Sequence, residues 1–368
     1  MRIAVIGAGI VGLAVARAAA QKGHEVQVFE RHAKAQGASI RNFGLYWPLG
    51  QQQVNFRSAL RSGEIWKEFF LDTHTWHQES GALLPAYEAD EWQVLQEYYG
   101  SRKNDAGYRL QLLAPEGAIA ISPLLNRAGL KGALYSQTEM VLDPRMALEK
   151  LPNWLTAKYG VAFHWSNPVI KVDSQYLETA NGEAFAPDQI YICSGADFEW
   201  LYPRQHLESG IQRCKLLMLS TEPIEQPLGP PVIGPLSLAH YEPFANCPSY
   251  QMLKQRLQLQ YAEYFKRGIH VMAAQHADGR LIIGDSHNYA SEHGPFSEQA
   301  TYRLILDYLE QFLTVPNLQI AETWQGVYAK IPNKSHLVLH PEPKVTIVNA
   351  LGGGGMTLSF ALAEKIVN

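Results

Sequence analysis

The first thirty residues constrain this chain more than any other stretch. Ile3, Ala4, Val5 and Ile6 make a short apolar run, Gly7-Ala8-Gly9-Ile10-Val11-Gly12 follows at once, and Leu13, Ala16 and Ala19 carry a helical spacing to Gly23. His24 to Phe29 then alternates through Val26 and Val28 and ends on Glu30. The pattern predicts strand, glycine turn, helix, strand. Such a unit aims a helix N-terminus, with unpaired N–H groups and partial positive charge, at a pyrophosphate. Gly7, Gly9 and Gly12, with Val11 among them, permit close backbone approach. Glu30, eighteen residues past Gly12, is placed to accept hydrogen bonds from a ribose diol, where an arginine would have suited a 2′-phosphate. A plain structural βαβ turn is the alternative; the strand, the helix and the acid together favour the dinucleotide.

A chain of 368 residues, 46% of them hydrophobic, can bury a full core, and its length predicts two lobes. The net charge of −4 offers no basic excess, so a nucleic-acid partner is not expected. Cys193, Cys214 and Cys247 are odd in number and show no CxxC spacing, which predicts neither disulfides nor a zinc site and fits a reducing cytoplasm. The sequence opens directly on its first strand and has no apolar run of membrane-spanning length, so neither a signal peptide nor a transmembrane segment is expected.

Downstream of Glu30 and Arg31 the segment Ala38-Ser39-Ile40-Arg41-Asn42-Phe43-Gly44 is rich in small residues and donors. It reads as a wrap for the rest of a long cofactor, with Arg41 and Asn42 donating to a phosphate or a ring carbonyl; an ordinary loop feeding the next helix is the alternative. Gln51 to Phe70 has helical spacing with Val54, Leu60, Trp66 and Phe69 or Phe70 inward. From Gly81 to about Gln137 short, turn-punctuated segments predict part of a second lobe. Asp143 as N-cap, Pro144 at the first helical position and Gly160 at the exit bound another helix.

Strand-like runs follow at Val161 to Trp165 and Pro168 to Val172, then a hairpin about Asn181-Gly182. The apolar run Gln189 to Cys193 stops at Ser194-Gly195-Ala196, a second small-residue turn at the C-terminal end of a strand, where ligands collect in open α/β sheets. Ser194 lacks the GxSxG flanks of a nucleophile elbow. Lys215 to Gln319 reads as the rest of the second lobe, with helices at Tyr250 to Phe265 and Ser297 to Phe312 and strands at Ile269 to Gln275 and Arg280 to Asp285; Tyr261, Tyr264 and Phe265 are read as packing residues. Near the end, Gly352-Gly353-Gly354-Gly355-Met356-Thr357 lies between a strand, Val345 to Asn349, and a helix from Leu358 to Val367. Four glycines at a helix start cost chain entropy unless backbone must approach something closely. The helix end would favour negative charge gathering at one edge of a flavin; a flexible hinge is the alternative.

These regions together resemble the FAD-dependent D-amino-acid oxidase superfamily, which contains the glycine and sarcosine oxidases. The residues that carry it are Gly7 to Gly12 with Glu30, Ala38-Ser39, Val169 with Cys193-Ser194-Gly195-Ala196, and Gly352 to Thr357. The resemblance implies an α/β fold: a discontinuous Rossmann-like FAD-binding domain (1–80, 140–214 and 320–368) and a mixed-sheet α+β substrate domain (81–139 and 215–319). It implies that Val169 contacts the adenine side and that Gly352 to Thr357 lie along the flavin ring. It also implies oxidation of an amine by hydride transfer to flavin N5, an imine that hydrolyses, and oxygen or another acceptor to reoxidise the flavin. No cysteine stands beside Lys330 in sequence, so non-covalent FAD is expected.

One departure concerns the substrate. Where the family commonly reads Trp-x-Gly-x-Arg, this chain has Trp324-Gln325-Gly326-Val327-Tyr328, and tyrosine cannot fork onto a carboxylate. The anion then falls to Lys330, Arg41, Arg280 or His287, and Tyr328, Lys330 and His287 form the expected substrate-side set. The Trp-x-Gly-x-Tyr variant, with Arg41-Asn42-Phe43-Gly44 and Gly284-Asp285-Ser286-His287, resembles a subgroup associated with phosphonate breakdown, which makes an aminophosphonate a candidate beside small amines and amino acids. Two other classes compete: a nicotinamide-dependent dehydrogenase, which leaves the run at Gly352 without a role, and a flavin-carrying subunit with no amine oxidation of its own. The histidines, His74 and His77 included, lack carboxylate or thiolate neighbours in sequence, so no metal site is expected.

Overall fold

The computed structural model describes residues 1–367. Its first sheet has six strands in the order Leu337–Glu342, Val345–Asn349, Gln189–Ile192, Arg2–Ile6, Glu25–Phe29, Ala162–His164. Arg2–Ile6 lies centrally and is parallel to both neighbours, with Ile6 opposite Ile192 on one side and Phe29 on the other. Strands this apolar, buried on both faces, need helices over them. One face is covered by the helices Ile10–Gln21, Gln53–Thr73, Pro144–Tyr159 and Gly355–Ile366, which pack with the strand residues into one core. The loops at the C-terminal ends of Arg2–Ile6 and Gln189–Ile192 therefore meet at a single crevice.

Helices Ile10–Gln21 and Gly355–Ile366 run side by side in the same direction. Arg17 reaches Glu364 at 3.1 Å, and Lys22, just past the first helix, donates to the carbonyl of Val367, just past the last. Arg17 is 1% exposed and also pairs with Glu68 at 3.0 Å, so one buried guanidinium ties three helices together. Trp66 donates to the Met356 carbonyl at 2.7 Å.

The second, nine-stranded sheet runs Asn288–Ala290, Gln212–Thr221, Leu281–Gly284, Met272–Gln275, Val232–Ile233, Ala82–Ala86, Gly132–Ser136, Leu110–Leu113, with Ile320–Lys330 also on Gln212–Thr221. That pairing sets Tyr328 opposite Cys214 and Trp324 opposite Met218. Ile320–Lys330 lies wholly inside a segment expected in the cofactor unit, yet it is hydrogen-bonded into the second sheet; of Gln212–Thr221 only the first three residues lie in such a segment, the rest falling in the expected substrate domain. A small sheet of Leu45–Tyr46, Met140–Leu142 and His77–Gln78 stands apart from both.

Local signals hold where the chain decides its own geometry. Asp143 caps its helix by accepting from Arg145 and Met146 N–H, Pro144 is the first residue, and Gly160 ends it in the left-handed region. The hairpin strands Leu177–Thr179 and Ala184–Phe185 flank Asn181-Gly182. Other expectations are corrected. Ala89–Arg102 is a 14-residue helix inside the stretch read as turn-punctuated. Tyr250–Phe265 breaks at Tyr261 into Tyr250–Gln260 and Ala262–Lys266. Val54 is 80% exposed and faces away from the core. The last helix begins at Gly355, not Leu358, after a 3-10 turn over Gly352–Gly354. Among the described residues no helix is long and apolar enough to cross a membrane.

Candidate active site

A continuous cavity of about 1170 Å³ runs from the first glycine turn to the nine-stranded sheet. At one end the chain leaves Ile6 through Gly7 (φ +102°), where a β-carbon would meet the Cys193 carbonyl oxygen at 2.5 Å. Gly9 is the N-cap of the first helix and supplies no side-chain cap. The first-turn N–H groups of a helix have no acceptor within it, and Gly7, Gly9, Ile10 and Val11 at this helix start line the cavity; the N–H of Ile10 is held by Ser39 Oγ at 3.0 Å. Gly12 does not line the cavity. A β-carbon there would lie 1.8 Å from the Gly7 carbonyl oxygen, so Gly12 closes the turn instead of touching a ligand.

Glu30 lines the cavity and is 8% exposed. Its two carboxylate oxygens accept from Ala8 N–H at 2.9 Å and His32 N–H at 3.0 Å, which fixes the acid and leaves further lone pairs open. Arg31 pairs with Asp197 across the opening. Ala38, Ser39, Arg41, Asn42, Val169, Ser194 and Gly195 all lie in the wall. Asn42 is not the free donor expected, however. Its amide donates to the Ala38 and Ser39 carbonyls at 3.2 and 2.9 Å, and its oxygen accepts from Gly44 N–H at 2.8 Å, so the side chain is consumed in shaping its own turn. Arg41 makes one long contact, 3.3 Å to the Gln325 carbonyl.

The last helix presents its N-terminus to the same space. Gly352, Gly353, Gly354, Gly355 and Met356 line it, whereas Thr357 is 1% exposed and accepts from Trp47 N–H at 3.0 Å. Gly352 has φ +56°, and a β-carbon on it would come 2.9 Å from Lys330 Cδ. Glycine is favoured there by conformation, while the contact falls on a side chain that can move.

Beyond this turn the wall is formed by Tyr328 and Lys330 from one strand and by Tyr241, His240, His270, Asp285, His287 and Tyr289 from the second lobe. Burial lowers the Lys330 ammonium from the ordinary lysine value, against a weaker opposing pull from Cys214 and Glu242. Burial keeps the hydroxyls of Tyr328 and Tyr289 protonated by raising them. His287 is pushed down to about 4 by burial, and its Nδ1 lies 3.1 Å from the Gly268 carbonyl oxygen. His240 and His270 are lowered well below the usual histidine value, by burial first and then by neighbouring cations or histidines. His240 is nevertheless accessible, because the surface it shows faces this cavity. Arg280 is absent from the wall and sits 3.4 Å from Asp278.

Two groupings escaped the sequence. Cys214 lies opposite Tyr328 though more than a hundred positions away; it does not line the cavity, and burial pushes its thiol up to about 12. His240, His270 and His287 gather with one ligand nitrogen each inside a 4.8 Å spread, and an Asp285 oxygen lies 3.6 Å from both His270 Nε2 and His287 Nδ1. The expectation that histidines here lack carboxylate company fails because two strand ends bring 270 and 285 together through reciprocal backbone hydrogen bonds of 3.3 Å. His77 also has a carboxylate, Glu79, at 4.0 Å.

A βαβ turn, an acid after its second strand and a second helix start on one elongated cavity define a dinucleotide-binding oxidoreductase of the flavoprotein class. Residues 2–368 match the model of the DAO family, FAD dependent oxidoreductase, and the chain belongs to that family. FAD is its cofactor. A D-amino acid dehydrogenase 2 of Mesorhizobium japonicum (strain LMG 29417 / CECT 9101 / MAFF 303099) is 55% identical over 64% of this chain and 70% of its own length. The fold is similar to that of L-proline dehydrogenase from P. horikoshii (TM-score 0.78, 22% identity, 100% of this chain and 92% of that one). Glycine oxidase from Geobacillus kaustophilus gives TM-score 0.77 at 20% identity, over 100% and 93%.

Proposed function

We propose that this protein oxidises the C–N bond of a small amine or amino acid carrying an anionic group. The observation that carries the reading is Lys330: a half-buried cation in the cavity wall, packed under the Gly352 turn, with no hydrogen bond or ion pair among the described residues. A lysine so placed neutralises an anion as a point charge. Bound FAD supplies a two-electron acceptor for the hydride leaving the carbon next to nitrogen.

The chain's own residues do the rest. Glu30 would hold the ribose and Val169 the adenine side, both from the cavity wall. The first helix N-terminus meets the pyrophosphate, and the start of the last helix stabilises negative charge at the flavin edge. Lys330 and Arg41 fix the anionic end of the substrate, while protonated Tyr328 and Tyr289 donate hydrogen bonds around the amine carbon. The dinucleotide cradle and the second sheet keep bulk water from the reacting bond, and water admitted after oxidation hydrolyses the imine. Among the described residues Cys193 alone of the cysteines lines the cavity, and burial pushes its thiol up, which supports a cofactor held without a covalent link.

The similarity to a protein named D-amino acid dehydrogenase supports amino acids first. A second reading, an aminophosphonate, is favoured by Tyr328 in place of a forked arginine, since a tetrahedral dianion is served by a point charge and scattered donors. The test is anaerobic bleaching of the flavin absorbance with D-amino acids, glycine, sarcosine and aminophosphonates, followed by reoxidation with oxygen or an artificial acceptor. Bleaching by one class identifies the substrate; an FAD-loaded protein that no amine reduces sinks the proposal and leaves the flavin-carrying subunit.

A further inference from the structure

The geometry points to a divalent transition-metal site built from His240, His270 and His287 with Asp285 beside them, in the part of the cavity walled by the second lobe. His240 ends the short helix Ser237–His240, His270 precedes the strand Met272–Gln275, and Asp285 and His287 follow the strand Leu281–Gly284. Three elements from separate parts of the chain thus deliver three imidazoles and a carboxylate to one place.

Four observations indicate a cation instead of a packed aromatic cluster. One nitrogen from each imidazole falls within 4.8 Å of the others, so closure about one ion asks only small ring movements. The second nitrogen of two rings is already engaged: His287 Nδ1 faces the Gly268 carbonyl at 3.1 Å and His270 Nδ1 the Ser237 hydroxyl at 3.4 Å. The Gly268 carbonyl can only accept, so it fixes the His287 tautomer and leaves Nε2 with its lone pair free, the arrangement that metal-bound histidines share; the Ser237 hydroxyl can give or take a proton, and it lets His270 adopt the same form. His270 Nε2 and Asp285 Oδ1 are both buried and have no hydrogen-bond partner, a cost that an absent group would remove. They stand 3.6 Å apart, too far for a hydrogen bond and close to the ~3.3–3.4 Å that separates two ligands of a tetrahedral ion with metal–ligand bonds of about 2.0–2.1 Å. Finally, Asp285 adjoins the free Nε2 of His270, where as a carboxylate it supplies negative charge to a divalent ion, and it approaches His287 only on the Nδ1 side.

Imidazole with carboxylate suits zinc, or cobalt and nickel at the same donors, over calcium or magnesium. The cavity side of the trio is open, so a bound ion keeps a position for water or an oxyanion.

The test uses the FAD-loaded protein, stripped with chelator, dialysed and titrated with Zn²⁺ alone, then with Co²⁺ for its visible absorption. Expected are about one equivalent of zinc per chain by elemental analysis and a tetrahedral or five-coordinate cobalt spectrum. Zinc should also raise the unfolding temperature. The double variant His240→Ala/His287→Ala should lose the cobalt spectrum and bind zinc at least tenfold more weakly while keeping its flavin. His270→Gln, which removes one ligand with little change in volume, serves if that variant does not fold. Absence of saturable binding by the native protein, or undiminished binding after these substitutions, overturns the site. Because metal content is read and not turnover, the outcome is independent of whether amines are the substrates.

Discussion

Gly355, which opens the last helix, lies against Ile10, which opens the first: a β-carbon on Gly355 would sit 3.4 Å from an Ile10 methyl. The two helices run in the same direction from that contact, and neither start carries a side-chain cap. Two helix starts and two aligned dipoles therefore open on the same cavity, where a dianionic pyrophosphate and an electron-rich ring edge would lie.

Replacing Gly12 with alanine places a β-carbon 1.8 Å from the Gly7 carbonyl oxygen. Both partners are backbone, so no rotamer relieves the clash. The expected product is colourless or insoluble, read from soluble yield and the ratio of absorbance at the flavin band to that of protein.

Glu30→Ala removes the acceptor of two backbone N–H groups as well as the proposed ribose contact. Lost hydrogen bonds to a charged group are worth about 1.5–3 kcal/mol, so FAD affinity should fall about tenfold to a hundredfold with far-ultraviolet circular dichroism unchanged. Titration of apoprotein with FAD checks this; unaltered affinity would remove Glu30 from the cofactor site.

Lys330→Met should raise KM roughly tenfold or more, for loss of a charge-assisted contact, with smaller change in kcat and intact flavin content. The pH dependence follows from burial, which lowers the ammonium below the ordinary lysine value. Anion binding needs the protonated form, so KM should rise with pH and begin rising earlier than for an exposed lysine. In the Met variant that limb should vanish. A KM profile identical in the two proteins would assign the anion to Arg41.

Acid stability has a separate source. Burial alone would raise Glu364 and Glu68, but hydrogen bonds and charge from Arg61 and Arg17 outweigh it for Glu364, and those from Lys158 and Arg17 for Glu68, so both carboxyls are held below their usual value. Groups depressed on folding stabilise the protein above their unfolded pKa, and that stability is lost as pH falls through the lower folded value. Unfolding temperature should accordingly decline below about pH 4.5. Arg17→Met should cost about 2 kcal/mol at neutral pH, less than for a fully buried pair because both carboxylates are partly solvated, and should flatten the decline. Thermal scans from pH 3 to 7 decide.

Covalent attachment is tested by acid precipitation. All flavin should remain in the supernatant, since Cys214 and Cys193 are buried thiols whose ionisation is pushed up. A yellow pellet would identify a linkage.

What the sequence made legible was local. The turn at Gly7 to Gly12, the cap at Asp143 and the hairpin at Asn181-Gly182 each fix geometry within a few residues. The helix Ala89–Arg102 was hidden because its start is held by an acid, with Glu91 accepting from Tyr87 and Glu88 N–H at 2.8 and 3.0 Å, and an E-x-x-E spacing announces a cap faintly. Asn42 shows the opposite failure: a good donor by type whose capacity is used by its own turn. Neither the histidine trio nor the Cys214–Tyr328 pairing has any trace in spacing, because antiparallel register and the meeting of strand ends create them.

The side-by-side helices have a consequence for biosynthesis. Residues 10–21 emerge from the ribosome more than three hundred positions before their neighbour at 355–366. Until that final segment appears, an alanine-rich apolar face stands uncovered and the nucleotide has only half a cradle. Flavin capture should therefore wait for residues 355–366, and deleting them should release a pale, chaperone-bound protein even though every residue of the N-terminal turn is present.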